Sequence, residues 1–270
     1  MKKCAVINDL SGFGKCSLTA SIPILSAMGA EAHPLPTAVL SNQTAYDSYK
    51  SLSLTSVLPD FISEWKKLGV SFDGILTGFV TDKEQVDIIS GFIDDFKKEG
   101  TIVLVDPVMA DNGSLYDGYT REMCDKIKAL CYKADIITPN IAELAFIAGE
   151  EYSEKYDDLI SYGKKLVSNG IKNIVVTGYK EGDTISNIVF DGVQVRKVTS
   201  KRIGGYFSGT GDITASIIMG GVLRGISITA AAALASAFIS KAIENTSCTN
   251  HNDGIEFEKF LEDLIRYEKK

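Results

Sequence analysis

Five short runs with apolar centres, Cys4–Ile7, Gly74–Thr77, Ile102–Val105, Asp135–Thr138 and Ile174–Thr177, alternate along this chain with longer stretches of helical spacing. The helical stretches are Leu18–Met28, Val57–Leu68, Lys83–Lys98, Tyr119–Tyr132 and Asp157–Ser168. Gly29, Gly69, Gly100 and Gly170 follow four of them, where a left-handed residue closes a helix. Short runs without polar alternation suit strands covered on both faces, and alternating strands and helices build a parallel sheet between two helical layers. The predicted class is α/β, as one domain over residues 1–270, with no repeat, low-complexity tract or linker to divide it.

Two segments depart from that rhythm. Ile185–Phe190 and Val193–Val198 flank Asp191-Gly192, which predicts a hairpin closed by a tight type I′ turn. Glu31–Leu40, carrying Pro34 and Pro36, reads as an irregular extended segment, an edge strand or a flap over a site. Beyond the hairpin, Gly211–Leu223, Thr229–Glu244 and Glu256–Tyr267 have helical composition.

Composition narrows the chemistry. With 270 residues, 45% hydrophobic, the chain can bury a sizeable core, and its net charge of −7 leaves no basic face for nucleic acid. An anionic substrate must therefore be met locally, by backbone amides, a metal or a few Lys and Arg. The five cysteines (Cys4, Cys16, Cys124, Cys131 and Cys248) form no CxxC pair, which points to reduced thiols rather than disulfides or a zinc knuckle. His33 and His251 alone cannot supply a histidine metal centre or leave much for a Ser-His-Asp triad. The apolar run after Lys3 is too short for a secretory segment and no stretch approaches a membrane span, so a cytoplasmic protein is expected.

The sharpest motif is Ser208-Gly209-Thr210-Gly211-Asp212 ahead of an apolar helical run. Glycines at a helix start let backbone amides approach an anion, and the helix dipole adds partial positive charge there. Asp212 reads either as an ordinary first-turn acid or as a general base for an alcohol attacking phosphorus. Gly12-Phe13-Gly14-Lys15-Cys16-Ser17 suggests a P-loop but fails the pattern, because Asp9 and Cys16 stand where Gly and Ser or Thr are required. Asp9, just past the first strand, reads either as a ligand contact or as a turn aspartate. Asp106-Pro107-Val108 and Thr138-Pro139-Asn140, with Glu143, follow two further strands, and oxygen donors of this kind suit Mg²⁺ carried by ATP.

These motifs together resemble the ribokinase-like sugar and vitamin kinases, and within them the pyridoxal kinases. Ser41-Asn42-Gln43-Thr44-Ala45-Tyr46 is similar to their Ser-Asn-His-Thr-x-Tyr segment, and Leu76-Thr77-Gly78-Phe79 to their Leu-Thr-Gly-Tyr. The resemblance implies a central mostly parallel sheet and ATP-dependent phosphorylation of the 5′-hydroxymethyl group of a B6 vitamer. It assigns Asp212 as base and the amides of Gly209, Thr210 and Gly211 as the anion hole. Asp9, Leu40, Thr44 and Phe79 would contact the substrate ring. Asp106, Thr138, Asn140, Thr177 and Ser208 would line the nucleotide, the segment 202–208 would border adenine and ribose, and Glu143 and Asp106 would serve magnesium. It also implies a monovalent cation such as K⁺ and a homodimer. Asp9 stands where many pyridoxal kinases have Ser, Gln43 where they have His, and Phe79 where they have Tyr, so a substrate with a donor or positive charge such as pyridoxamine fits as well. Hydroxymethylpyrimidine kinases bind a similar heteroaromatic alcohol on this fold and are the nearest alternative. A non-catalytic B6-binding protein is a second, and a sugar substrate is disfavoured by the likeness of the 41–46 segment, since polyol recognition calls for several side-chain hydrogen bonds rather than apolar faces flanking a flat ring.

Overall fold

A computed structural model describes residues 1–247 and 250–267 of the chain. Cys248 lies outside the described residues, while Cys4, Cys16, Cys124 and Cys131 are buried free thiols. The strands are β1 (Lys2–Ser11), β2 (Ala30–Leu40), β3 (Ser51–Ser53), β4 (Gly74–Thr77), β5 (Ile102–Val105), β6 (Ala110–Asp111), β7 (Ser114–Leu115), β8 (Ile136–Ile137), β9 (Ile174–Glu181), β10 (Thr184–Phe190) and β11 (Val195–Lys201). The helices are α1 (Ser17–Ala27), α2 (Leu58–Lys67), α3 (Lys83–Phe96), α4 (Arg121–Cys131), α5 (Ile141–Ala148), α6 (Tyr156–Ser168), α7 (Thr210–Leu223), α8 (Ile228–Glu244) and α9 (Leu261–Ile265).

Among the described residues, nine strands form one sheet in the order β11-β10-β9-β8-β5-β4-β1-β2-β3, and β6 and β7 make a separate small hairpin. The six strands from β9 to β2 run parallel, and β3, β10 and β11 add antiparallel edges. Side chains alternate between the two faces as the pleat requires. Ala5, Ile7, Ile75, Val103 and Val105 pack with Ile89, Phe92, Ile127 and Leu159 from α3, α4 and α6. Cys4, Val6, Leu76 and Leu104 pack on the opposite face with Leu18, Leu25, Ala215 and Ile218 from α1 and α7. Full burial of such side chains contributes roughly 1.5–3 kcal/mol each, which holds the central strands without polar alternation.

The strands expected from sequence at Gly74–Thr77 and Ile102–Val105 form with those bounds. The hairpin forms, but not with a two-residue turn. Phe190 pairs with Val195, leaving a four-residue connection in which Asp191 accepts the Val193 and Gln194 amides at 3.2 and 2.9 Å. A type I′ turn needs positive φ at both central residues; only Gly192 adopts it, at +78°, and the aspartate side chain closes a longer loop instead. Residues 30–40 form a strand near the sheet edge rather than a flap, paired in parallel with β1 and covered on the other side only by the short β3; the expected irregularity is there, as a shift of register just after Pro36. Pro34 and Pro36 fit because the outer side of this strand is mostly unpaired. The expected helix over 256–267 breaks into a 3₁₀ turn, Phe257–Phe260, and the short α9, so that Phe257 and Leu264 are each buried.

β2 lies on one side of β1 and β4 on the other, so the strand order reverses between β1 and β4. In open α/β sheets a crevice forms outside the carboxyl ends of the strands at such a switch point.

Candidate active site

At that crevice β1 carries Asn8 and Asp9 near its end, inside the strand rather than past it as expected; Gly78 and Phe79 follow β4, Asp106 follows β5, Thr138 follows β8, and α7 arrives with its N-terminus. Gly209 sets the approach of α7. Its φ is +81°, and a Cβ there would lie 2.0 Å from the Lys15 carbonyl oxygen, so no other residue lets the helix start sit on the Gly12–Lys15 loop. The first-turn amides of α7 lack helical partners by construction, which leaves donors for an anion. Lys15 turns away and pairs with Glu258 at 2.8 Å, in keeping with the failed P-loop pattern.

Asp212 stands in the first turn of α7. Its Oδ1 accepts the Asn8 side-chain amide at 2.9 Å, and the Ser17 backbone amide also donates to its carboxylate. Ser17 opens α1 with φ of +50°, a left-handed conformation uncommon outside glycine. Burial pushes the Asp212 carboxyl up to about 6; the charge of Asp9 adds to the rise, and the Ser17 amide and Asn8 oppose it. That places a proton acceptor near working pH, as a general base requires.

Three other carboxylates line this part of the crevice, Asp9 and Asp106 near Asp212 and Glu143 beyond Asp106. Asp9 is 3% exposed, its Oδ2 accepts the Ser11 hydroxyl at 2.8 Å, and burial raises it against the Ser17 and Ser11 hydroxyls. Asp106 accepts the Thr138 hydroxyl at 2.8 Å; burial and then the charge of Asp212 push it up to about 7. Glu143 closes a reciprocal capping box with Asn140 at the start of α5 and also accepts the Met109 amide at 3.0 Å. Burial and the charge of Asp106 hold it well above its usual range despite those amides. None of the ion pairs among the described residues involves these four carboxylates. Excess negative charge built from oxygen donors fits a hard cation. Asp106, Thr138 and Glu143 have the donor chemistry for Mg²⁺ delivered with ATP. They form no closed cage among the described residues, and magnesium that keeps water and phosphate ligands requires none.

The structure brings most of the sequence-predicted residues together. Asp9, Asp106, Thr138, Glu143, Gly209, Thr210, Gly211 and Asp212 share the crevice; a Cβ on Gly211 would stand 3.9 Å from Asp106 Oδ2. Asn140 bridges to Thr177 next to them, with its side-chain amide on the Ala110 carbonyl at 2.7 Å. Leu40 is buried at the end of β2, beside Ser11, and Phe79 lies half-buried with its ring 6.3 Å from that of Tyr119. In the 41–46 segment neighbouring side chains take opposite surroundings. Thr44 is exposed on a turn, while Gln43 points inward and donates to the Ser208 hydroxyl at 3.2 Å and the Asn252 carbonyl at 3.0 Å. Ser208 is accordingly buried and engaged by Gln43. Sequence reasoning missed Asn8 and Ser17. Asn8 sits beside the noticed Asp9, but its contact with Asp212 spans 204 residues, and the φ of Ser17 has no sequence signal.

Known proteins resemble this chain in sequence and fold. Residues 17–255 match the family model described as phosphomethylpyrimidine kinase. The pyridoxal kinase of Dictyostelium discoideum is 27% identical over 228 residues, covering 78% of this chain and 73% of the relative. The hydroxymethylpyrimidine/phosphomethylpyrimidine kinase of Aquifex aeolicus is 25% identical over 215 residues, covering 77% and 83%. A protein of Bacteroides thetaiotaomicron described as a phosphomethylpyrimidine kinase superposes in its rhombohedral crystal form with a TM-score of 0.96 at 38% identity, covering 100% of this chain and 96% of that one. Its orthorhombic form, crystallised with pyridoxal, gives 0.93 at 39% identity, covering 97% and 95%. With the glycine-led start of α7, the buried aspartate and the mostly parallel sheet in place, the chain belongs to the phosphomethylpyrimidine kinase family, on the ribokinase-like fold of the pyridoxal kinases.

Proposed function

We propose that this chain, acting as one domain, phosphorylates the 5′-hydroxymethyl group of a B6 vitamer with ATP. The observation that carries the reading is the Asp212 carboxylate. It is raised to about 6 in the first turn of the helix whose amides form the anion hole. Asp212 takes the proton of the hydroxymethyl group as its oxygen attacks the γ-phosphorus, and the amides of Gly209, Thr210 and Gly211 meet the charge on the transferring group. Asp106, Thr138 and Glu143 would hold ATP-bound Mg²⁺, in part through water, and magnesium there supplies neutralisation of phosphate charge. Asn140 and Thr177 border the nucleotide, and Ser208 backs that side through Gln43. Leu40 and Phe79 offer apolar surface to a flat ring, with Asp9 at its polar edge. Thr44 on its exposed turn reaches the ring only if that turn closes over it.

Pyridoxal in the 39% identical Bacteroides protein favours a B6 vitamer. The family model and the Aquifex relative favour hydroxymethylpyrimidine as the second reading. ATP consumption with pyridoxal, pyridoxine, pyridoxamine and hydroxymethylpyrimidine decides between them. Turnover of the pyrimidine with negligible rates on every vitamer overturns the first reading. Tight vitamer binding without any transfer points to a non-catalytic binding protein. For the mechanism, Asp212→Asn is expected to lower kcat by about 10²–10⁴-fold while the protein stays folded. Turnover near that of the wild type in a folded Asp212→Asn protein refutes Asp212 as the base.

A further inference from the structure

Asn8 is 4% exposed and has no charge to contribute, yet its side chain meets three parts of the crevice at once. Its Oδ1 accepts the backbone amides of Asp9 at 3.0 Å and Phe79 at 2.9 Å, and its Nδ2 donates to Asp212 Oδ1 at 2.9 Å. A carboxamide oxygen has two lone pairs, and both are engaged by backbone donors. The NH₂ group is thereby fixed in direction, toward the base. Room for this amide exists because residue 78 is glycine: a Cβ there would lie 2.5 Å from Asn8 Nδ2 and 2.8 Å from its Oδ1.

We propose that Asn8 is the positioning residue for Asp212, orienting the proton-accepting carboxylate relative to the loop that carries Phe79. The inference rests on the reading of Asp212 as the base. A neutral donor serves this task because it holds one carboxylate oxygen without fixing the protonation state of the group. The other charged or titratable neighbours of Asp212 are Asp9 from β1, Asp106 after β5, Cys16 ahead of α1 and Tyr206 ahead of α7. Substitution at Asn8 leaves each of these groups in the chain, and because Asn8 Oδ1 also holds the Asp9 amide, the pH profile of an Asn8 variant reports that contact together with the one to Asp212.

The test uses the full chain with saturating ATP and magnesium and its best substrate, measuring kcat and KM from about pH 5 to about pH 9 together with thermal stability. Asn8→Asp sets a second carboxylate against Asp212, and the acid limb of kcat is expected to move up by about one pH unit. Asn8→Ala frees the base, and kcat is expected to fall by up to about 10²-fold with KM for ATP little changed. An acid limb at the wild-type pH in Asn8→Asp overturns the inference. So does an Asn8→Ala protein that melts early but turns over at the wild-type rate while folded. Should Asn8→Asp fail to fold, the kcat of Asn8→Ala decides alone. Asp212→Asn separates the two claims: retained turnover there refutes the base, whereas an inactive Asp212→Asn beside an unmoved Asn8→Asp profile refutes only the positioning role.

Discussion

Replacing Asp106 by Asn is predicted to make the ligand-free protein more stable at alkaline pH. The Asp106 carboxyl is raised from 3.8 to about 7 by burial and by the charge of Asp212. At about 1.4 kcal/mol per pH unit, that displacement corresponds to at most about 4 kcal/mol of cost when the group ionises in the fold. Glu143 and Asp212 share the repulsion, and the new amide needs a partner for its N–H groups, so about 2 kcal/mol is the expected gain. The sign follows from linkage. A folded-state pKa above the unfolded one gives stability that is fully present below about pH 4 and is lost as pH rises through about 7. The wild-type and Asp106→Asn melting temperatures should therefore coincide in acid and separate by about 5 °C at pH 8. Calorimetry or circular dichroism across that range is the assay. Adding magnesium with nucleotide should stabilise the wild type more than the variant. Equal melting temperatures at pH 8, or a variant destabilised by the same amount at every pH, would refute the picture of uncompensated charge.

Other perturbations follow from the same geometry. Gly209→Ala forces a Cβ to within 2.0 Å of the Lys15 carbonyl at a left-handed φ, and loss of more than about 3 kcal/mol with collapse of kcat/KM is expected in denaturation and steady-state assays. Asn140→Ala removes the cap of α5 and the bond to the Ala110 carbonyl, and should cost about 1–2 kcal/mol in urea unfolding. Wild-type kcat is expected to fall in acid with a limb near pH 6, as Asp212 takes up a proton, in a pH–rate measurement.

Much of the central sheet was legible because its signal is local. Ile75, Leu76, Val103 and Leu104 are apolar on both faces, and only a strand between two helical layers uses such a run. Gly209-Thr210-Gly211-Asp212 was legible as a helix start for a similar reason: glycines ahead of an apolar helical run signal it within five residues. Gln43 was not, because its partners Ser208 and Asn252 lie 165 and 209 residues away and nothing in its own neighbourhood tells a ring contact from a buried brace. The Asp191-Gly192 turn misled because the aspartate side chain competes with the backbone for the same amides. Pro34 and Pro36 suggested irregularity, and the pairing with β1 does shift register just after Pro36, but the unpaired outer side lets the segment remain a strand.

The close seat of Gly209 on the Lys15 carbonyl bears on how the enzyme is made. The Lys15 amide in turn donates to the Asp253 carbonyl, so the loop under the anion hole is braced from near the end of the chain. During synthesis the strands bearing Asp9 and Asp106 leave the ribosome long before the helix bearing Asp212, and the brace at Asp253 comes later still. A nascent chain thus displays its carboxylates without the means to use them, and competence for phosphoryl transfer arises in one late step. Contacts of such separation form slowly, because loop-closure entropy is lost before the contacts reward it.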